Sequence, residues 1–248
     1  VAPDGSLMGD EAATVSIEGL APGEKPVELW LPQAATVSIR ALELEGDVSP
    51  EPWPDTRPTV LFHGSSISHC MEATGASAGW PAVATALANM RHINLGWGGS
   101  CLLSGLVARI IRDQNADLIV LKLGINVWAD GMLKERTFAD SAHAMLSIIR
   151  ERHHETPIQV ISPIYSPERE DQGQNGGLSL MRMRTVLQEV VAARRDANTH
   201  YLSGLDLFGA ADVADLPDNL HPNTAGYRRM GERFHALRLS GEGSLLSL

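Results

Sequence analysis

From Pro58 onward the chain alternates between two patterns of apolar residues. Short apolar runs read as buried strands at Pro58–Phe62, His92–Trp97, Asp117–Ile125, Pro157–Ile164 and His200–Leu205. Asp117–Ile125 (DLIVLKLGI) is nearly continuous in apolar residues, as a central parallel strand covered on both faces would be. Between the runs, apolar positions recur every three or four residues, which is the helical period. Helices are predicted over Gly79–Met90, where Pro81 is tolerated in the first turn, and over Leu102–Gln114, with Leu103, Leu106, Val107, Ile110 and Ile111 as its apolar face. Thr137–Arg152 repeats the pattern through Phe138, Ala142, Met145, Leu146 and Ile149. Leu178–Asp196 reads as a long helix with its arginines outward, and Thr224–Leu237 as a closing helix. Five strands alternating with helices through right-handed crossovers predict a three-layer α/β domain around a parallel sheet. No internal repeat is visible.

Residues 1–50 have another character. Ala13–Glu18 (ATVSIE), Val27–Leu31 (VELWL) and Thr36–Leu42 (TVSIRAL) alternate in the manner of short strands, separated by turns at Ala21-Pro22-Gly23-Glu24 and Pro32-Gln33. Three such strands are marginal alone, so they are expected to pack on the main domain or to complete a sandwich begun elsewhere. Residues 51–58, with prolines at 52, 54 and 58, form a stiff connector, and the α/β domain spans 59–240. Glu168–Gly177 is polar and glycine-rich, and reads as a mobile loop near the strand ends.

Composition narrows the choice of partners. Of 248 residues, 44% are hydrophobic and 20% charged, so a folded globular chain is expected. The net charge of −10, with no cluster of Lys and Arg, argues against nucleic acid or an anionic membrane as partner. No apolar run approaches the roughly 18 residues that span a bilayer. A cytoplasmic protein is expected, although an exported one lacking its leader would look the same, and a leader or longer region can precede Val1. Cys70 and Cys101 are too few for a disulfide framework or a structural zinc site, and read as reduced, partly buried thiols that can lie near each other.

Four places carry candidate chemistry. In Leu61–Cys70 (LFHGSSISHC) a strand runs through Gly64 into serines at 65, 66 and 68, placing a hydroxyl at the carboxyl end of a strand, where α/β sheets put their chemistry. In Asp218-Asn219-Leu220-His221-Pro222-Asn223 a carboxylate precedes an imidazole by three residues. A tight turn lets Asp218 bind one ring nitrogen and leaves the other free to take a proton from a hydroxyl. Gly98-Gly99 after the second strand can offer a bare backbone N–H, and Asn126, following Gly124-Ile125, an amide N–H₂, both suited to an oxyanion.

In combination LFHGSSIS, NLGWGGS, KLGIN and DNLHPN resemble the four blocks of the SGNH hydrolases, the GDSL-type esterases and lipases, over roughly residues 59–238. HGSSISHC and ISPIYSPE resemble the branch that carries an N-terminal β-sandwich. The resemblance implies a flavodoxin-like α/β/α fold with a five-stranded parallel sheet, preceded by a small N-terminal β region. It implies Ser66 as nucleophile, His221 as base and Asp218 as its orienting acid. It implies an oxyanion hole of Ser66 N–H, Gly99 N–H and Asn126, with Gly99 closing an N-x-x-x-x-G spacing from Asn94. One departure is Ser65, where the family usually has Asp before the nucleophile. The pattern is not the G-x-S-x-G elbow, because Ser68 stands where that motif needs Gly.

The reaction implied is acyl transfer through a covalent acyl-enzyme, with no cofactor and no metal. Trp97, Trp128, Met132 and Tyr165 lie beside the motif loops and either line a substrate pocket or belong to the core. The absence of a long apolar lid points to a small-molecule partner, a short acyl ester of a soluble alcohol such as an acetylated sugar. An acyltransferase using the same residues is the alternative. A carbohydrate-binding module with a vestigial site is a third reading. Oligomeric state stays open.

Overall fold

The computed structural model describes residues 14–46, 48–52 and 54–246. The chain divides into two compact units, Val1–Asp55 and Thr56–Leu248. In the first unit the chain bends at Pro22–Gly23 and turns at Gln33–Ala34, at or beside the expected turns. The three expected strands are not formed there among the described residues, and Ala13 and the residues before it lie outside them. A strand exists only where backbone groups pair with a neighbour, and three short segments offer too small an apolar face to hold a ladder by themselves. Their alternating apolar side chains, among them Val15, Ile17, Val27, Leu29, Val37 and Ile39, lie exposed.

The second unit contains five strands, β1 (Thr59–Gly64), β2 (Arg91–Gly96), β3 (Leu118–Lys122), β4 (Ile158–Ile161) and β5 (Thr199–Leu202). All pair in parallel in the order β2-β1-β3-β4-β5. β1 runs past its apolar stretch to Gly64, whereas β3, β4 and β5 stop short of the ends of theirs, where the chain turns away into the loops at the carboxyl edge. Between and after them come α1 (Ser66–His69), α2 (Trp80–Leu87), α3 (Gly105–Arg112), α4 (Ile125–Trp128), α5 (Glu135–Arg150), α6 (Leu180–Arg194), α7 (Gly204–Leu207) and α8 (Thr224–Phe234).

The strand order explains the layers. The chain leaves β1 to one side and, after β2, crosses back over β1 to start β3, so right-handed crossovers put α2 on one face and α3, α5 and α6 on the other. The last helix, α8, packs against α2. Their Trp80 and Phe234 close on Phe62 of β1 in edge-to-face contacts at 5.1 and 5.9 Å between centroids. Every residue of β3 and β4 is buried, as the near-continuous apolar runs require. The order reverses between β1 and β3, and a ligand site is expected outside the carboxyl ends of those two strands.

Two expectations about helix faces need correction. α3 begins at Gly105, because Leu103 takes a left-handed φ of 56° and the Ser104 hydroxyl caps the first turn. Its buried face is therefore Val107, Ala108 and Ile111, while Leu106 and Ile110 point outward. In α6 one arginine is not outward: Arg184 is buried, donates to the carbonyls of Pro163 and Ile164, and pairs with Glu170 through two contacts of 2.6 and 2.8 Å.

Candidate active site

β1 delivers its last residue, Gly64, to a turn in which Ser65 is the N-cap of α1, its hydroxyl accepting from the Ile67 N–H. Ser66 then occupies the first helical position, where its own N–H has no acceptor within the helix. Asn94 of β2 holds this turn from below, donating from Nδ2 to the Ser68 carbonyl at 2.8 Å while its Oδ1 accepts from the Gly96 N–H at 2.9 Å. The asparagine of the N-x-x-x-x-G spacing thus fixes the segment that carries Ser66.

The Asp218–His221 turn arrives from the other end of the chain. Asn219 takes a left-handed φ of 59°, which folds the turn back so that Asp218 Oδ1 accepts from the N–H groups of Leu220 and His221 at 2.9 and 2.6 Å. Asp218 Oδ2 lies 2.6 Å from His221 Nδ1, and His221 Nε2 lies 2.8 Å from Ser66 Oγ. A hydroxyl, an imidazole and a carboxylate separated by up to 155 positions are hydrogen-bonded in series. Burial opposes ionisation of Asp218, but the His221 backbone N–H, the His221 ring and the Leu220 N–H outweigh it and hold the carboxyl below the usual carboxylate range. Asn223 caps α8 by accepting from the Gly226 N–H, and so anchors the turn's far end.

The Gly98-Gly99 turn meets Ser66, and Asn126 is tied to Cys101 just after that turn. The Ser100 N–H donates to the Trp97 carbonyl and closes a turn in which Gly99 takes φ of 70°, a conformation that favours glycine. A side chain on Gly98 would lie 3.7 Å from Ser66 Cβ, so this turn sits against Ser66. At the end of β3, Gly124 takes φ of 118°, and a Cβ there would stand 2.8 Å from Pro163. Only glycine turns the chain here, and Asn126 follows at the second position of α4. Its Oδ1 accepts from the Cys101 N–H at 3.0 Å, so this contact engages the oxygen of the amide and not its N–H₂.

Of the candidate lining residues, Trp97 precedes the glycine turn, is 38% exposed and meets His63 edge-on. Trp128 ends α4, donates from its indole to the Gln172 carbonyl at 2.8 Å, and lies under the Arg169 guanidinium at 4.9 Å. Met132 is exposed. Tyr165 is half-buried beside Ser166, whose hydroxyl donates to the Asn219 carbonyl at 2.6 Å. The loop read as mobile is instead fastened along its length. Arg169 donates to the Asn219 carbonyl, Glu170 pairs with Arg184, and the Asn175 carbonyl accepts from Lys134. Glycine content suggested freedom, but these contacts come from residues distant in sequence.

Both cysteines are free and buried. Burial raises both thiols above the ordinary range, Cys101 to about 12, so neither is a thiolate nucleophile at neutral pH. Sequence reasoning missed Arg169, the Cys101 backbone and Glu72, whose carboxylate lies 3.8 Å from His221 Nδ1. A hollow of about 270 Å³ lined by Thr59, Asp117 and His153 lies at the opposite, amino-terminal end of the strands and takes no part in this arrangement.

Fold and site define a doubly wound α/β protein with a serine, a histidine and an aspartate hydrogen-bonded in series at the switch point of its sheet. The chain belongs to the GDSL-like lipase/acylhydrolase family, whose model matches residues 62–229. No curated protein matches it. Among solved structures it is similar to the salicylyl-acyltransferase SsfX3 of a tetracycline biosynthetic pathway, at 30% identity and a TM-score of 0.68, over 74% of this chain and 54% of that one. It shares the fold of a variant of Axe2, an acetyl-xylooligosaccharide esterase from a Geobacillus species, at 20% identity and a TM-score of 0.53, over 71% and 92% of the two chains. It also shares that of a family two carbohydrate esterase from Clostridium thermocellum, at 18% identity and a TM-score of 0.58, over 75% and 64%. The chain spans little more than half the length of the acyltransferase. Among the described residues no helix is long and apolar enough to cross a membrane.

Proposed function

We propose that the protein is a serine esterase that hydrolyses small acyl esters, acetyl esters above all, of soluble alcohols or carbohydrates. The observation that carries this reading is the series Ser66 Oγ, His221 Nε2, His221 Nδ1, Asp218 Oδ2, at 2.8 and 2.6 Å. His221 takes the Ser66 proton as the oxygen attacks the ester carbonyl, and the oxyanion is held by the N–H groups of Ser66 and Gly99 and the amide of Asn126. Collapse breaks the bond to the leaving oxygen, which receives the proton from His221. Water then repeats the sequence on the acyl-enzyme and releases the acid. Trp97, Trp128 and Tyr165 flank the carbonyl site and bound the acyl or alcohol group.

The likeness to a salicylyl-acyltransferase favours a second reading, in which an acceptor alcohol replaces water on the same acyl-enzyme. A panel of p-nitrophenyl esters of rising chain length, with acetylated sugars, each run with and without an acceptor alcohol, separates the two. Hydrolysis that falls with chain length and vanishes in Ser66→Ala supports the esterase. Acylated acceptor as main product supports the transferase, and activity that survives Ser66→Ala contradicts both.

A further inference from the structure

The relay of Ser66, His221 and Asp218 leaves a second carboxylate unexplained. Glu72 lies in the turn after α1, the helix that begins with Ser66. Its Oε1 stands 3.8 Å from His221 Nδ1, the ring nitrogen already bound to Asp218. Its Oε2 accepts from the Tyr227 hydroxyl at 2.7 Å. Tyr227 is fully buried in α8, which begins three residues after His221. Burial first, then the Cys70 sulfur and Glu72 itself, keep the phenol protonated far above its ordinary range, so Tyr227 is the donor and Glu72 the acceptor. A second tie joins the same segments, the Thr74 N–H donating to Thr224 Oγ1 at 3.1 Å.

We propose that Glu72 is a second acid for His221, a positioning residue held by Tyr227 that stabilises the imidazolium formed when Ser66 gives up its proton. The inference rests on the esterase reading above. At 3.8 Å the contact is too long for a hydrogen bond, so Glu72 does not compete with Asp218 for the Nδ1 proton. Opposite charges at that distance in a partly exposed site still attract appreciably. His221 and Glu72 are 19% and 35% exposed at the side chain, so the attraction is weakened by solvent and not abolished. The other titratable groups facing the pair are Asp218 on the histidine's own turn, Tyr227 on α8, Cys70 at the end of α1 and, behind Cys70, Lys122 of β3.

Glu72→Gln removes the charge but keeps an acceptor for Tyr227. The test is an NMR titration of the His221 ring in wild type and Glu72→Gln, beside the pH profile of kcat/KM on p-nitrophenyl acetate. The titration midpoint is expected to fall by about half a pH unit or more, and the acid limb of the profile to move with it. The plateau rate falls roughly threefold to tenfold. Tyr227→Phe, which releases Glu72, moves the midpoint in the same direction by less. A midpoint unmoved within about 0.1 pH unit in Glu72→Gln overturns the proposal, even if that variant is less stable. The titration requires no turnover, so wild-type protein that hydrolyses no ester contradicts the esterase reading, while the midpoint still decides the part played by Glu72.

Discussion

Each side chain assigned a part in the proposed reaction is held by a neighbour. Asp218 spends one oxygen on two backbone N–H groups and the other on the His221 ring, so the imidazole is fixed in tautomer as well as position. Asn126 is held by the Cys101 N–H on its Oδ1, and in the proposed reaction its two amide N–H groups serve the developing oxyanion. Asn126→Ala is expected to lower kcat by roughly 10²–10³ with KM little changed, measured on the best ester of the panel. A loss below tenfold would remove Asn126 from the oxyanion hole. That Ser66, His221 and Asp218 would meet was legible in the sequence, because side-chain chemistry at short, recognisable spacings carries a residue signature. The Cys101 N–H and the carboxylate of Glu72 were not, because a backbone donor carries no residue signature and Glu72 meets His221 across 149 positions.

Among the elements, β3 carries an internal conflict. Its last residue, Lys122, is 1% exposed in the fully buried strand, although a lysine side chain is costly to bury. Burial pulls its ammonium from the ordinary 10.5 down to about 8, with the Cys101 and Cys70 sulfurs opposing and Arg184 adding to the fall. Between those two values the unfolded chain holds a proton that the native chain has lost, so stability rises with pH through that window. Lys122→Met is expected to stabilise the protein by about 2 kcal/mol at pH 7, with the gain fading above about pH 10. Urea unfolding of both proteins at the two pH values checks it. A variant less stable than wild type at pH 7 would mean that the ammonium is compensated where it lies. The strands and long helices followed from periodicity, but the four-residue helices α1, α4 and α7 are too short to show a period. The face of α3 was misjudged because one left-handed residue and one serine cap shift the helix start and so turn a different stripe inward.

At the scale of the molecule, the switch in strand order puts the ends of β1 and β3 side by side, and loops from distant parts of the chain fall on that spot. The second unit was legible as a doubly wound sheet because each strand and helix buries its own apolar face. Residues 14–46 were misread because their alternation specifies strands only if a partner sheet completes the ladder. The loop around Glu170 escaped for the converse reason, its order being supplied by Arg184 and Trp128 from other elements. The proposed esterase requires Ser66 as its nucleophile, activated by His221. The direct measurement is covalent labelling of the whole protein by a fluorophosphonate, located by peptide mass mapping across a range of pH. The result predicted is a single adduct on Ser66, absent in Ser66→Ala, whose rate declines as pH falls through the histidine range. An adduct elsewhere, or folded wild-type protein that takes no label, would contradict it.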